Sequence, residues 1–108
     1  MHEHLPDWVP NELAVQRYQP GDVGITPHRD QRRFALLVAV ITVAGSARFT
    51  LHGERTGPPT STWQASEGSL VLLRGPGLAG IQDGRPMHAV GSPTGAPRTS
   101  IGIRMDTA

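Results

Sequence analysis

The chain has 108 residues, enough to bury the core of one small domain and too few for two, so a single functional centre is expected. It contains no cysteine, which excludes disulfides and thiolate–metal sites, and its formal charge of +1 does not mark a strongly cationic nucleic-acid binder. No apolar run reaches the ~18 residues that cross a bilayer, and no basic-then-apolar leader opens the chain, so a cytoplasmic protein that stays out of the membrane is expected.

Thirteen glycines and ten prolines interrupt the sequence so often that no segment sustains a helical apolar period, which predicts an all-β domain with little helix. Residues 1–12 read as a short lead-in and residues 13–106 as the single domain. Leu13 to Tyr18 alternates loosely and stops at Pro20-Gly21. After the polar octapeptide "TPHRDQRR" comes Phe34 to Val43, "FALLVAVITV", apolar on both faces and expected as a central strand covered on both sides. Ala47 to His52 alternates apolar with polar, the pattern of a strand with one wet face, and Ala44-Gly45-Ser46 is expected to join the two as a hairpin.

A loop from Gly53 to Pro59 precedes a short strand around Thr62 to Ala65. Ser69 to Arg74, "SLVLLR", reads as another buried strand. Gly75 to Pro86, with four glycines and two prolines, reads as a long loop or lid, Met87 to Val90 as a short strand, and Gly91 to Pro97 as a turn. Thr99, Ile101, Ile103 and Met105 supply the apolar face of a last strand. About eight short strands at this spacing predict a sandwich or jelly-roll barrel.

Residues two apart on a strand point to the same side, so His28 and Asp30 can reach one point while Arg29 faces away. Of the other four histidines, His2 and His4 lie near the terminus and His52 alternates with Arg48 and Thr50 on the expected solvent face. His88 follows the long loop directly, where a barrel mouth would be. Two histidines and one carboxylate leave three octahedral positions open, a set suited to non-haem Fe(II) that binds a cosubstrate and O₂ together.

All ten basic residues are arginine. In "RTSIGIR", Arg98, Ser100, Gly102 and Arg104 share the face opposite the apolar set. Six residues at ~3.3 Å rise place the two arginine Cα atoms ~20 Å apart. Two arginine reaches of roughly 7 Å and a dicarboxylate roughly 6 Å long span about the same distance, through paired guanidinium–carboxylate bonds. Gly102 leaves room for the ligand against the strand, so this strand can clamp both ends of 2-oxoglutarate. A solvent-facing arginine edge is the plainer reading of the same residues.

The set "QRY…TPHRD…MHAV…RTSIGIR" resembles the core of the AlkB-like family of Fe(II)- and 2-oxoglutarate-dependent dioxygenases, over about residues 13 to 105. The resemblance implies a double-stranded β-helix in which His28, Asp30 and His88 ligate Fe(II). It implies that Arg98 pairs with the distal carboxylate of 2-oxoglutarate, helped by Tyr18 and Ser100, and that Arg104 pairs with the carboxylate beside the keto group. Gln16 stands where the family more often has asparagine; either amide donates to a carboxylate. No catalytic residue is implied beyond these ligands.

The implied reaction consumes O₂ and 2-oxoglutarate, releases succinate and CO₂, and hydroxylates or demethylates a primary substrate. Family members that repair alkylated bases carry a long N-terminal lid, whereas about a dozen residues precede the first core strand here. An alkylated nucleobase, a small molecule and a protein therefore all stand as substrate classes. Arg29, Arg32 and Arg33 either contact phosphates of a nucleic acid or form a solvated loop. Trp8 and Trp63 stack on a base or pack at the rim, and neither is assigned a role. Two rivals remain: a jelly-roll domain that binds a ligand without catalysis, and a cupin-like metal enzyme, which would ordinarily use more histidines. Oligomeric state is open.

Overall fold

Frequent turn residues and short apolar alternations resolve into eight strands. The computed structural model describes residues 7–108, so His2, His4 and the first half of the lead-in lie outside the described residues. The strands are β1 (Glu12–Tyr18), β2 (Ile25–His28), β3 (Phe34–Ala44), β4 (Ala47–His52), β5 (Ser61–Ala65), β6 (Leu70–Arg74), β7 (Met87–Val90) and β8 (Arg98–Asp106). One 3₁₀ turn, Leu78–Gly80, lies inside the long loop before β7. Among the described residues no helix is long and apolar enough to cross a membrane.

Two four-stranded antiparallel sheets form, one in the order β1-β8-β3-β6 and the other in the order β2-β7-β4-β5. Face to face they make a jelly roll, a double-stranded β-helix. Period-2 alternation turns one side of each strand inward, and Phe34, Val38, Ala47, Phe49, Ala65, Val71, Leu73 and Val90 close together as the core. Phe49 is 1% exposed and stacks on Trp63 at 5.1 Å between ring centres.

Three expectations are corrected. The segment Ala44-Gly45-Ser46 does not close a hairpin: β3 lies in the first sheet between β8 and β6, while β4 lies in the second between β7 and β5. Both edges of β3 are taken by other strands, so the link passes from one sheet to the other. Gly45 makes that passage at φ 76°, where a Cβ would stand 2.2 Å from the Pro97 carbonyl oxygen. Strand β6 is not buried on both sides: Val71 and Leu73 face the core, but Leu70 and Leu72 are 57% and 56% exposed. Nor is β3 covered on both sides, since Val43 is half exposed on the outer face.

Between Phe34 and Val38 the chain spends four steps of β3 against two of β8, from Asp106 to Arg104. The excess is taken up at Leu36, which sits at φ 67°, an uncommon conformation for a residue with a side chain. Leu36 is held there by its N–H donating to the Pro76 carbonyl and by Gly75 N–H donating to the Leu36 carbonyl. Gly75 has no alternative at this point, because a Cβ would meet the Phe34 carbonyl oxygen at 2.5 Å.

Phe49 joins the core to the ring of His88, which it stacks at 5.6 Å and 2° between planes. Truncating it removes a buried aromatic that its neighbours cannot replace. Phe49→Ala is expected to destabilise the chain by ~3–5 kcal/mol, measured as the shift of the denaturant unfolding midpoint.

Candidate metal and anion site

His28 ends β2 and His88 lies on β7, and the antiparallel register sets them directly opposite each other. Their rings are 4.4 Å apart between centres. Asp30 follows just beyond the end of β2, and its Oδ1 lies 3.5 Å from Nε2 of each histidine. One donor atom from each of the three falls within 4.8 Å of the others, so the group could hold a metal ion.

The other ring nitrogen of each histidine is occupied by the backbone. His28 Nδ1 donates to the Thr26 carbonyl at 2.9 Å, and His88 Nδ1 donates to the Pro86 carbonyl at 3.2 Å. Each bond is made to a residue two positions earlier, so the strand itself orients both rings and leaves both Nε2 atoms facing Asp30. Asp30 is held by its backbone: Arg85 donates to its carbonyl at 2.7 Å while pairing with Asp83, which ties the long loop to the segment after β2.

Protonation follows from this geometry. The hydrogen bond to Asp30 raises His28 above the ordinary histidine value of 6.5, against the opposing effect of burial. Burial pushes His88 below that value despite the nearby Asp30 carboxylate. Burial also pushes Asp30 up, but the His28 hydrogen bond, both imidazoles and Arg104 outweigh it and hold the carboxyl below its ordinary value.

Beside the triad lies a cavity of about 160 Å³. That is below the ~300 Å³ at which drug-sized pockets begin, and it suits a ligand of few heavy atoms. Its walls include Ala14 and Gln16 of β1 and Arg98, Ser100, Gly102 and Arg104 of β8, together with the three triad residues. A Cβ on Gly102 would meet only the Ala14 carbonyl oxygen, at 3.9 Å, so this stretch of β8 is open toward the cavity.

The two arginines differ in their surroundings. Arg98 is 2% exposed and donates from a terminal nitrogen to Thr42 Oγ1 at 3.0 Å, while its Nε has no partner. Burial lowers its proton affinity. Since arginine keeps its charge, a cation is left here away from solvent with one hydroxyl, that of Thr42, as its hydrogen-bond partner. Arg104 is already engaged: its terminal nitrogen bonds Glu12, opposite it on β1, and its guanidinium lies over the Phe34 ring at 4.2 Å.

The expected site residues thus divide. His28, Asp30, His88, Gln16, Arg98, Ser100 and Arg104 line one cavity. Tyr18 sits opposite Arg98 in the β1–β8 register but is not among the lining residues. Arg29 is exposed; Arg32 pairs with Asp83 and Arg33 with Asp106, each at 3.4 Å. His52 is outside the cavity, bonded to Thr50 Oγ1. Thr42, Glu12 and Arg85 are additions to the expected set. Thr42 carries a visible signal, as the lone polar residue in "FALLVAVITVA"; Glu12 and Arg85 carry none, because their roles arise from the register and from a loop contact.

No family model matches the chain, and no curated protein matches it by sequence. Its fold is similar to two solved structures. One is a protein with a double-stranded β-helix domain from Klebsiella pneumoniae: TM-score 0.61 and 12% identity over 88% of this chain and 66% of that one. The other is a cupin protein from Bacteroides fragilis, with TM-score 0.58 and 10% identity over all of this chain and 85% of that one. The chain spans about two thirds of the Klebsiella protein. At these identities the likeness establishes the double-stranded β-helix, shared with cupins, and nothing finer.

A metal at the triad must displace any proton on His28 Nε2, and that proton is held above the ordinary pKa. Apparent affinity for a divalent ion is therefore expected to fall by up to about tenfold per pH unit once the pH drops below the His28 value, with His88 competing only at lower pH. Calorimetric titration in buffers of different ionisation enthalpy should show proton release that fades as the pH rises through the His28 value. Asp30→Ala should lose the binding at every pH.

Proposed function

We propose that the chain is an AlkB-like, Fe(II)- and 2-oxoglutarate-dependent dioxygenase. The observation that carries this reading is the buried Arg98 guanidinium without a carboxylate partner, in the same small cavity as two histidines and a carboxylate with open Nε2 and Oδ1 positions. A triad alone would suit several metals; joined to an unmatched buried cation it calls for a ligand with an anionic end and a metal-binding end. 2-Oxoglutarate has both.

The residues present fit these groups. His28, His88 and Asp30 would hold the iron as a facial triad. Arg98, steadied by Thr42, would take the distal carboxylate, with Ser100 beside it and Gln16 as an amide donor. The open face at Gly102 would accommodate the carbon chain, and Arg104 would serve the carboxylate nearer the metal after releasing Glu12. With both bound, iron, O₂ and 2-oxoglutarate supply oxidative decarboxylation to succinate and CO₂, coupled to hydroxylation of a substrate C–H bond or removal of an N-methyl group. The protein orients the cosubstrate, offsets its charge and keeps water from the cavity.

For the primary substrate, the pairing of Arg33 with Asp106 and the partial screening of Arg32 by Asp83, a carboxylate that Arg85 shares, weigh toward a small molecule or a protein side chain over a nucleic acid. Only Arg29, among the three arginines beside the triad, is exposed without an ion pair among the described residues. Succinate formation stimulated by a methylated oligonucleotide would reverse that preference.

Anaerobic addition of Fe(II) and 2-oxoglutarate is expected to give the weak visible charge-transfer band of the chelated cosubstrate. Arg98→Ala and His88→Ala should abolish it; a folded, iron-loaded wild type without the band overturns the dioxygenase reading. Glu12 competes with the ligand for Arg104, so Glu12→Gln is expected to tighten 2-oxoglutarate binding by roughly three- to tenfold, the scale of a partly exposed ion pair, read by titrating the same band.

A further inference from the structure

Alternation that turns Arg98, Ser100 and Arg104 inward turns another set of residues outward. On the outer face of the first sheet, the register aligns Val15–Ile101–Ile41–Leu70 in one row and Leu13–Ile103–Ala39–Leu72 in the next. Each row crosses all four strands and contains no charged or hydrogen-bonding side chain. The two edge strands leave it most open: Leu13 and Val15 are each 62% exposed, Leu70 57% and Leu72 56%. Among the described residues, one margin is crossed by other chain, where Trp8 Nε1 donates to the Leu37 carbonyl and Val9 N–H approaches Met105.

We infer that this face is the interface of a homodimer, packed sheet against sheet about a two-fold axis parallel to the strands. Size is the first argument. Four strands ~4.8 Å apart and some five residues at ~3.3 Å make a plane of roughly 300 Å² before side-chain relief. Apolar patches of a few hundred Å² mark interaction sites, and this face is of that size.

Charge is the second. Arg17 follows Val15 on the same outer face and pairs with Thr99 in register, at one corner. At the opposite edge, Gly68 N–H donates to the Thr42 carbonyl, which sets the exposed Glu67 level with Arg17 across the sheet. A two-fold axis along the strands lays β1 over β6 of the second copy. Val15 then faces the partner's Leu70, Leu13 faces the partner's Leu72, and Arg17 faces the partner's Glu67, with every contact made twice. The formal charge of +1 gives two copies no general repulsion to overcome. Strands stay aligned, as in sheet packing at ~10 Å separation, and the cavity on the inner face is left open in both copies.

Sedimentation equilibrium across the micromolar range tests the interface. Wild type is expected to be dimeric at tens of micromolar. Leu72→Glu and, separately, Val15→Glu should weaken association by roughly a hundredfold or more, since symmetry buries each introduced charge twice. Both positions are exposed in the monomer, so far-UV circular dichroism and metal binding should stay unchanged. Arg17→Glu and Glu67→Arg should each weaken the dimer by roughly three- to tenfold, and the double swap should restore it. A wild type that stays monomeric throughout, or glutamate variants of unchanged mass, overturns the interface; a double swap that remains weak overturns the two-fold arrangement.

Discussion

A positive charge buried where no acid meets it is the constraint around which the rest of this chain is arranged. Desolvating a guanidinium is expensive unless something anionic or strongly polar takes the place of water. Arg98 has the Thr42 hydroxyl and an unpartnered Nε. Two neighbouring strands exist in their present form to tolerate it: β3 interrupts an apolar run with Thr42, and β8 places Ser100 and Gly102 where larger side chains would fill the cavity. The guanidinium therefore keeps a demand that the protein's own side chains leave unmet.

The candidate metal group of His28, Asp30 and His88 shows the opposite economy, since its arrangement is supplied almost wholly by regular structure. Antiparallel pairing of β2 with β7 sets the two histidines opposite each other, and each anchors its outer nitrogen on a carbonyl of its own strand. No separate acidic residue is required behind them. Phe49 adds the remaining restraint by stacking on His88, so the stiffness of the core passes directly into the orientation of one donor atom. Arg85 does the same for Asp30 from the loop side.

Much of this was legible in the sequence because strand alternation is a strict rule. "HRD" and "RTSIGIR" each announce which residues share a face, and the structure gathers their inward members around one cavity. What was hidden has a physical reason in each case. The passage of Ala44-Gly45-Ser46 between sheets depends on which strands occupy the edges of β3, and this is a long-range outcome that a three-residue link cannot encode. The exposure of Leu70 and Leu72 looked like burial, because an apolar run does not say whether a second layer covers it. Glu12 reaches Arg104 only through a pairing of residues 92 positions apart.

The irregularity at Leu36 bears on the site in a way that is a matter of length. Paired with β8, β3 carries three surplus residues, two between Phe34 and Val38 and one between Thr42 and Ala44; the larger excess is gathered into the bend at Leu36, which closes against Gly75. That slack brings Phe34 level with Asp106 and slides its ring beneath the Arg104 guanidinium. Drawn tight, the strand would carry the aromatic platform past the arginine it supports. The cavity is thus tuned like a string at a fret: the note is set by where the chain is stopped, several residues from the part that sounds.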